Sequence, residues 1–240
     1  MSPEHLVVVI ATPLEAELVA RIEAVDERIE VRYEPDLLPG VRVPCDHRGV
    51  ESFRRTSEQE RRWRAMIAEA EVLFGLPGDS PEGLADAIRT SAGLRWGQAT
   101  AGGAGEQVSA AGLSAEELAR VTITRAGGVH VGPLAEFAML GLLAFTKGLP
   151  RLSSDKAARR WDHYPMAELA GATLLVVGLG SIGLDVARLA KGFGMRVIAV
   201  NHTGRSDSPH VDEAHPSRSL PDLLPLDRRG GDRRPKPQGA

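Results

Sequence analysis

The sequence predicts an α/β protein built on parallel strands, and three observations lead to this prediction. Short apolar segments that are typical of buried parallel strands recur along the chain, and amphipathic helical segments separate them. Capping signals precede several of the helical segments. Glycine-rich turns follow some of the strands, at the edge where open α/β sheets bind ligands. Strand, turn and helix therefore alternate along most of the chain.

Composition narrows the class of protein. The 240 residues carry a net charge of −3, with 42% hydrophobic and 25% charged residues, which is ordinary for a soluble protein with a sizeable core. The near-neutral charge favours neither a nucleic-acid binder nor a membrane-surface protein. The single cysteine, Cys45, excludes an internal disulfide framework. The N-terminus lacks the basic and apolar blocks of a signal peptide, and no apolar run approaches the ~20 residues of a membrane span, so we expect a cytoplasmic location.

The sequence of the first 120 residues predicts a βαβ unit followed by further strands and helices. The predicted strands are 6–10, 29–33, 72–74 and a segment near 94–96, and the predicted helix starts are the capping signals at Thr12/Glu15, Thr56/Gln59, Ser80-Pro81 and Ser114/Glu117. Two of these strands end in glycine-rich turns, 75–78 and 101–105. Their bare amides are suited to a small carboxylate; the alternative is that they are only tight turns.

An almost wholly apolar helix is predicted over residues 133–147. A helix without a polar face must be buried on several sides, and this one is too short to cross a bilayer. We therefore expect it to pack between domains or against a second subunit. The polar segment 151–168, with Trp161 and Tyr164, follows it.

The most informative stretch begins with the strand 173–177 and continues as Gly-Leu-Gly-Ser-Ile-Gly over 178–183, a helix, and a second strand over 197–200. In this context Gly178 permits a tight turn, Gly180 lets a pyrophosphate approach the backbone, and Gly183 lets the helix pack closely on the strand. The amides at the start of the helix then face an anion. The pattern predicts dinucleotide binding through Gly178, Gly180, Ser181, Ile182 and Gly183. The alternative is an ordinary glycine-rich turn.

The end of the second strand bears on which dinucleotide is bound. NAD sites usually place an Asp or Glu there to bind the ribose 2′-hydroxyl, but this chain has Asn201, followed by His202, Thr203, Gly204 and Arg205. No carboxylate repels a 2′-phosphate in this stretch, and a guanidinium is within reach, so the sequence favours NADP over NAD. Arg205 as a solvated loop residue is the alternative.

Three segments of the chain carry a resemblance to a known family: LRWGQATAGGAG (94–105), VHVGPLAEFAMLGLLAFTKGLPRL (129–152) and MAELAGATLLVVGLGSIGLDVARLAKGFGMRVIAV (166–200). The chain resembles the D-isomer-specific 2-hydroxyacid dehydrogenases. The resemblance implies a flavodoxin-like substrate domain over 1–120 and a partial, Rossmann-type dinucleotide-binding domain over 121–226. It also implies that Leu76, Gly102 and Gly103 offer amides to the substrate carboxylate, that Asn201 occupies the ribose-reading position, and that the 133–147 helix takes part in a homodimer.

The resemblance further implies a catalytic arginine, histidine and carboxylate on strands beyond residue 225, where this sequence has a charged tail, 227–240. No catalytic residue is assigned here. We expect this tail to be disordered and inert rather than a binder of nucleic acid, and we interpret the chain as a truncated or frame-shifted dehydrogenase. The cluster His210, Asp212, Glu213 and His215 matches no zinc pattern, so no metal is predicted.

Two functions remain open. The first is hydride transfer between NAD(P)(H) and a small 2-keto or 2-hydroxy acid, as in the family. The second is a binding-only nucleotide module without turnover.

Overall fold

The computed structural model describes residues 5–224 and divides the chain into two compact units, Met1–Gly127 and Gly128–Ala240. The predicted basic tail at 227–240 lies outside the described residues. The α/β class with parallel sheets is confirmed in both units, because the strands within each sheet pair in parallel throughout residues 5–224.

The first unit is a five-stranded parallel sheet with the strand order β2-β1-β3-β4-β5, which is the order of flavodoxin-like folds. Its strands are β1 (Leu6–Ile10), β2 (Ile29–Arg32), β3 (Val72–Phe74), β4 (Trp96–Ala99) and β5 (Thr122–Arg125). Its helices are α1 (Ala16–Glu23), α2 (Ser57–Ala68), α3 (Pro81–Thr90), α4 (Ala104–Ala110) and α5 (Ala115–Arg120).

Both faces of this sheet are covered, as the continuous apolar strands predict. Successive residues of β1 point to opposite faces: Val9 packs in the larger core with Trp63 and Leu73, and Ile10 packs in a second cluster with Leu14 and Val19. Because the five strands are parallel, their carboxyl ends come together at one edge of the sheet.

The capping predictions have mixed outcomes. The boxes Thr56/Gln59 and Ser114/Glu117 form with both reciprocal hydrogen bonds, and Ser80 caps α3 through the Gly83 amide. The box at Thr12 and Glu15 is wrong, because α1 begins only at Ala16 and Glu15 makes no side-chain cap bond. The Thr12 hydroxyl instead donates to the His47 carbonyl at 2.8 Å.

The boundary between units differs from the predicted one at residue 120. Segment β5 joins the sheet of the first unit, with Trp96 paired to Thr122 and Ala99 to Arg125. The division follows this strand, after Gly127. The β-branched residues of 122–125 look the same in sequence whichever sheet they join, so composition did not reveal the pairing.

The second unit has a three-stranded parallel sheet, ordered β6-β7-β8. Its strands are β6 (Thr173–Val177), β7 (Arg196–Asn201) and β8 (Glu213–Pro216), and its helices are α6 (Val131–Thr146), α7 (Leu149–Ala157), α8 (Ser181–Gly192) and α9 (Leu220–Leu223). The buried residues Met139, Ala187 and Val197 belong to one core cluster that joins α6, α8 and the sheet. Helix α8 and the strand–turn–helix–strand order predicted around it are confirmed.

Helix α6 is buried along one side only. Ala135 and Met139 are buried, whereas Phe137 is 72% exposed, Leu140 55% and Phe145 89%. The described residues of this chain therefore do not bury α6 on the several sides that the sequence predicted. Among residues 5–224 no helix is both long enough and apolar enough to span a membrane.

Candidate functional site

The glycine turn after β6 is set by backbone geometry. Gly178 has φ +95°, a conformation that L side chains rarely adopt. Its amide donates to the Val200 carbonyl of β7 at 2.8 Å, and the turn therefore stays attached to the sheet. Gly180 is the N-cap of α8, with extended backbone, and its carbonyl accepts the Leu184 amide at 3.0 Å. The chain thus leaves the strand, turns sharply and enters the helix within three residues of Val177.

The three glycines have different surroundings. A Cβ at Gly183 would lie 2.0 Å from the Gly178 carbonyl oxygen, so only glycine permits the close packing of helix on turn. A Cβ at Gly178 or Gly180 would meet nothing within 4 Å. Gly183 therefore serves the fold, whereas the space at Gly180 is left open to an approaching group.

The open space faces the start of α8. The amides of Ser181 and Ile182 have no acceptor among the described residues, as expected for the first turn of a helix. Ser181 and Ile182 are both exposed, and the helix is twelve residues long. Free amides and the positive end of the helix dipole favour an anion at this position. The residues present therefore fit a pyrophosphate.

The turn after β7 is organised by Asn201. Its Oδ1 accepts the Gly204 amide at 2.6 Å, and its Nδ2 donates to the Arg205 carbonyl at 2.7 Å. The Thr203 hydroxyl also donates to Oδ1, at 3.2 Å. Gly204 has φ +69° and lies so close to Pro216 that a Cβ there would come within 2.9 Å of it. The hydrogen bonds of the Asn201 side chain therefore stabilise the turn itself.

A concavity of about 540 Å³ opens beside this turn and is lined by Leu179, Asn201, Thr203, Arg205, Ser206 and Asp207. Leu179 belongs to the glycine turn, so the two turns border one site. The Arg205 guanidinium has neither a hydrogen bond nor an ion pair among the described residues. Asp207, which the sequence analysis overlooked, also lines the concavity. His202 is exposed and does not line the concavity.

Two turns of the first unit carry the residues predicted to bind a carboxylate. Leu76 is 3% exposed and precedes the 3-10 turn Pro77–Asp79, and its amide has no acceptor among residues 5–224. Gly102 and Gly103 are exposed, and a Cβ on either would meet nothing within 4 Å. The Gly102 carbonyl accepts from the Arg125 guanidinium at 3.1 Å. Gly102 and Gly103 therefore present open backbone after β4, and Leu76 contributes an amide without an acceptor after the neighbouring strand, β3.

A side-chain contact that the sequence analysis missed joins the first of these turns to α4, the helix that follows the second. Asp79 accepts hydrogen bonds from Arg48 Nε at 3.0 Å and from Gln107 Nε2 at 2.8 Å. The partners are 31 and 28 residues away along the chain. No spacing rule connects positions so far apart, and the contact could not be read from the sequence.

The polar cluster after β7 forms ion pairs rather than a metal site. Lys191 pairs with Asp212 at 2.8 Å, and this bond, with the Val197 amide, lowers the pKa of Asp212 below its ordinary value. Glu213 contacts Arg196 and, at 3.3 Å, His215 Nε2; the Arg196 contact is the main cause of its lowered pKa. Within the described part of the chain no three His, Cys, Asp or Glu side chains come together as a metal site.

Comparison with known proteins agrees with this geometry. Residues 139–226 match the model of the D-isomer specific 2-hydroxyacid dehydrogenase, NAD binding domain. This stretch of the chain is therefore similar to the NAD-binding domain of that family. A 95-residue stretch is 36% identical to a glyoxylate reductase of Korarchaeum cryptofilum, covering 36% of this chain and 28% of that protein.

Solved structures show the same fold. A family member from Aeromonas salmonicida aligns with a TM-score of 0.69 at 20% identity, over 92% of this chain and 61% of that one. An NADPH-dependent glyoxylate/hydroxypyruvate reductase from Sinorhizobium meliloti, solved with NADP and sulfate, aligns with a TM-score of 0.63 at 16% identity, over 91% and 59%. The chain thus spans about three fifths of these structures, and its match covers under a third of the glyoxylate reductase.

Proposed function

We propose that this protein is an oxidoreductase of the D-2-hydroxyacid dehydrogenase type, which binds NAD(P)(H) and acts on a small 2-keto or 2-hydroxy acid. The observation that carries the proposal is the glycine turn at 178–183. Its helix packs so closely that only glycine fits at Gly183, while the space at Gly180 stays open beside two free amides. A bound nicotinamide cofactor would supply the hydride.

The pyrophosphate of the cofactor would lie against Gly178, Gly180 and the amides of Ser181 and Ile182, with Gly183 behind them. Peptide nitrogens bind the phosphate oxygens without a counter-charge that must be desolvated, and the dipole of α8 adds to the attraction. Ile182 is 41% exposed and would cover an apolar part of the cofactor.

We propose that the cofactor is NADP rather than NAD. The Arg205 guanidinium has no partner in the described chain and lines the concavity with Thr203, and a guanidinium binds a phosphate bidentately. His202 would approach the same phosphate from outside the concavity. Asn201 supports this choice indirectly, since its side chain holds the turn that carries Arg205. The relative from Sinorhizobium meliloti is NADPH-dependent. The negative charge of Asp207 repels a 2′-phosphate, whereas the positive charge of Arg205 attracts it. The preference for NADP therefore depends on the balance between Arg205 and Asp207.

The substrate carboxylate would bind to the amides of Leu76, Gly102 and Gly103. These amides lie in turns at the carboxyl ends of adjacent strands, β3 and β4, which is where α/β sheets bind ligands. Amides select a carboxylate and contact little else of the molecule, so the 2-keto acid class is proposed from the similarity to the family and not from these turns. The relative from Korarchaeum cryptofilum is a glyoxylate reductase.

A binding-only module is the second candidate, and a specific observation favours it. Reduction of a ketone needs a proton donor, for which a histidine oriented by a carboxylate is suited. Within residues 5–224 the only histidine with a carboxylate in contact is His215, and its partner Glu213 also pairs with Arg196. His215 lies two residues from that partner on one strand. It is a poor candidate for a proton relay, and no catalytic residue is assigned.

We also propose a homodimer through α6. Phe137, Leu140 and Phe145 are exposed on this helix, and apolar side chains clustered on one helix indicate a protein-binding surface. A second copy presents the same surface, so the contact can close on itself by two-fold symmetry. A cytoplasmic location remains our expectation from the composition.

Fluorescence titration of the purified chain with NADPH and NADH, followed by assays with glyoxylate and hydroxypyruvate, tests the proposal. Saturable binding with NADPH preferred, together with turnover, supports the dehydrogenase. Saturable binding without turnover supports the binding-only module. Absence of binding to either cofactor at millimolar concentration would contradict both candidates.

A further inference from the structure

Asp79 holds together two turns of the first unit that are far apart in sequence. Its carboxylate accepts from Arg48 Nε at 3.0 Å and from Gln107 Nε2 at 2.8 Å, and Gln107 Nε2 also donates to the Asp79 carbonyl at 3.1 Å. Gln107 lies in α4, which begins at Ala104, directly after Gly102 and Gly103. Asp79 ends the turn that starts at Leu76. The Asp79–Gln107 contact therefore ties the end of one predicted carboxylate-binding turn to the helix that follows the other.

The backbone at Asp79 is strained, which indicates that its position is imposed by its surroundings. Asp79 has φ +46°, and Gly78 before it has φ +65°. Residues other than glycine seldom adopt this left-handed conformation, and those that do cluster at functional sites. The Asp79 amide donates to the Leu76 carbonyl at 2.8 Å, which closes the turn on itself. Its side chain is only 20% exposed, so water competes weakly for the two bonds.

Each turn has its own attachment to the sheet, and the Asp79–Gln107 contact adds a side-chain link between the first turn and the helix that follows the second. Gly75 packs on Thr12 with φ +83° and donates to the Gln98 carbonyl at 2.8 Å. Arg125 holds the Gly102 carbonyl from the other side. A carboxylate has two oxygens, and binding both turns at once requires a fixed separation between their amides.

We infer that Asp79 is a positioning residue for the substrate carboxylate: it holds the Leu76 turn and the Gly102-Gly103 turn at the separation at which both bind one 2-keto acid. This inference rests on the proposed substrate site. Gln107 acts in the same way from α4, and Arg48 orients the Asp79 carboxylate through its other oxygen. Loss of the contact therefore weakens substrate binding and leaves cofactor binding unchanged, because the cofactor site lies on the other unit's turns.

The test uses the full chain and oxamate, an unreactive analogue that carries a carboxylate beside a carbonyl, in calorimetric titrations with and without saturating NADPH. We expect Asp79→Ala and Gln107→Leu each to weaken oxamate binding about tenfold. Asp79→Asn keeps an acceptor and tolerates the left-handed backbone, so it should restore most of the affinity. Glu106→Gln, at the exposed neighbour of Gln107 in α4, is the matched control and should bind as wild type.

The NADPH affinity of every variant should equal that of wild type, which separates a positioning role from general loss of structure. Should Asp79→Ala unfold, Gln107→Leu tests the same contact without altering the strained residue. Wild-type oxamate affinity in Gln107→Leu and in any folded Asp79 variant would overturn the inference and leave the proposed substrate site intact. If the wild-type chain binds oxamate neither with nor without saturating NADPH, the proposed substrate site is wrong, and this inference is wrong with it.

Discussion

Single alanine substitutions in the glycine turn separate its role in folding from its role in binding. In Gly183→Ala the new methyl group would lie 2.0 Å from the Gly178 carbonyl oxygen and 3.1 Å from its carbon. Both atoms belong to the backbone and cannot rotate away. Helix α8 and the turn must therefore move apart by about 1 Å, and overpacking of this kind costs about 1–3 kcal/mol. For a small domain each kcal/mol lowers Tm by about 4–8 °C.

Gly180→Ala should behave in the opposite way. A Cβ there meets nothing within 4 Å, and the extended backbone at φ −75° suits alanine, so Tm should not change. The methyl group instead fills the space that the pyrophosphate needs. We expect NADPH affinity to fall at least tenfold, which corresponds to about 1.4 kcal/mol.

Gly192→Ala is the matched control, since it lies at the far end of the same helix in open space. It should change neither NADPH affinity nor, beyond a slight gain from helix propensity, stability. Calorimetric melting and NADPH fluorescence titration measure the two effects separately. Wild-type melting of Gly183→Ala would refute the close packing of helix on turn. Wild-type NADPH affinity in Gly180→Ala would refute the placement of the pyrophosphate.

Three further substitutions test other parts of the account. Arg205→Glu should weaken NADPH binding about tenfold or more and leave NADH binding within twofold, because only NADPH carries the 2′-phosphate; equal losses for both cofactors in titration would contradict this assignment. Phe137→Glu should convert a dimer to a monomer in sedimentation velocity, whereas Val25→Glu, at a residue 74% exposed on the first unit, should not. The Asp46 carboxylate accepts from Arg42 and from the Gly49 amide, which lowers its pKa far below the usual value. The stabilisation of the folded state by ionised Asp46 is fully present above pH ~4, where an unfolded Asp is ionised. It is lost as the pH falls through the pKa of Asp46 in the folded state. The difference in Tm between wild type and Asp46→Asn should therefore be constant from pH 7 to about pH 4 and shrink below it, and a constant difference down to pH 2 would contradict this.

Local signals in the sequence predicted the elements that depend on local physics. The spacing of Gly178, Gly180 and Gly183 predicted the turn because each glycine meets a local requirement within six residues. Gly178 has a positive φ, Gly180 leaves open space, and Gly183 packs against the backbone of the turn. The capping boxes at Thr56 and Ser114 form because donor and acceptor are three residues apart. Thr12 has the same spacing to Glu15, yet its hydroxyl is taken by the carbonyl of His47, 35 residues away. A long-range partner overrode the local signal there.

The candidate site shows the same limit. The sequence placed Asn201 at the end of β7, and its ribose-reading role stays a prediction. It did not reveal that the Asn201 side chain also holds the turn that carries Arg205. The importance of Asp79 depends on Arg48 and Gln107, which the fold alone brings to it. Segment β5 looked like the start of the second unit because strand composition does not reveal which sheet a strand joins.

An amide NMR titration of the ¹⁵N-labelled chain with NADPH tests whether the glycine turn at 178–183 binds the cofactor. We expect saturable shifts at Gly178, Gly180, Ser181 and Ile182, with smaller shifts in the 203–205 turn and none in the sheet of the first unit. Saturable binding with shifts elsewhere, or no shift at the glycine turn at millimolar NADPH, would contradict it.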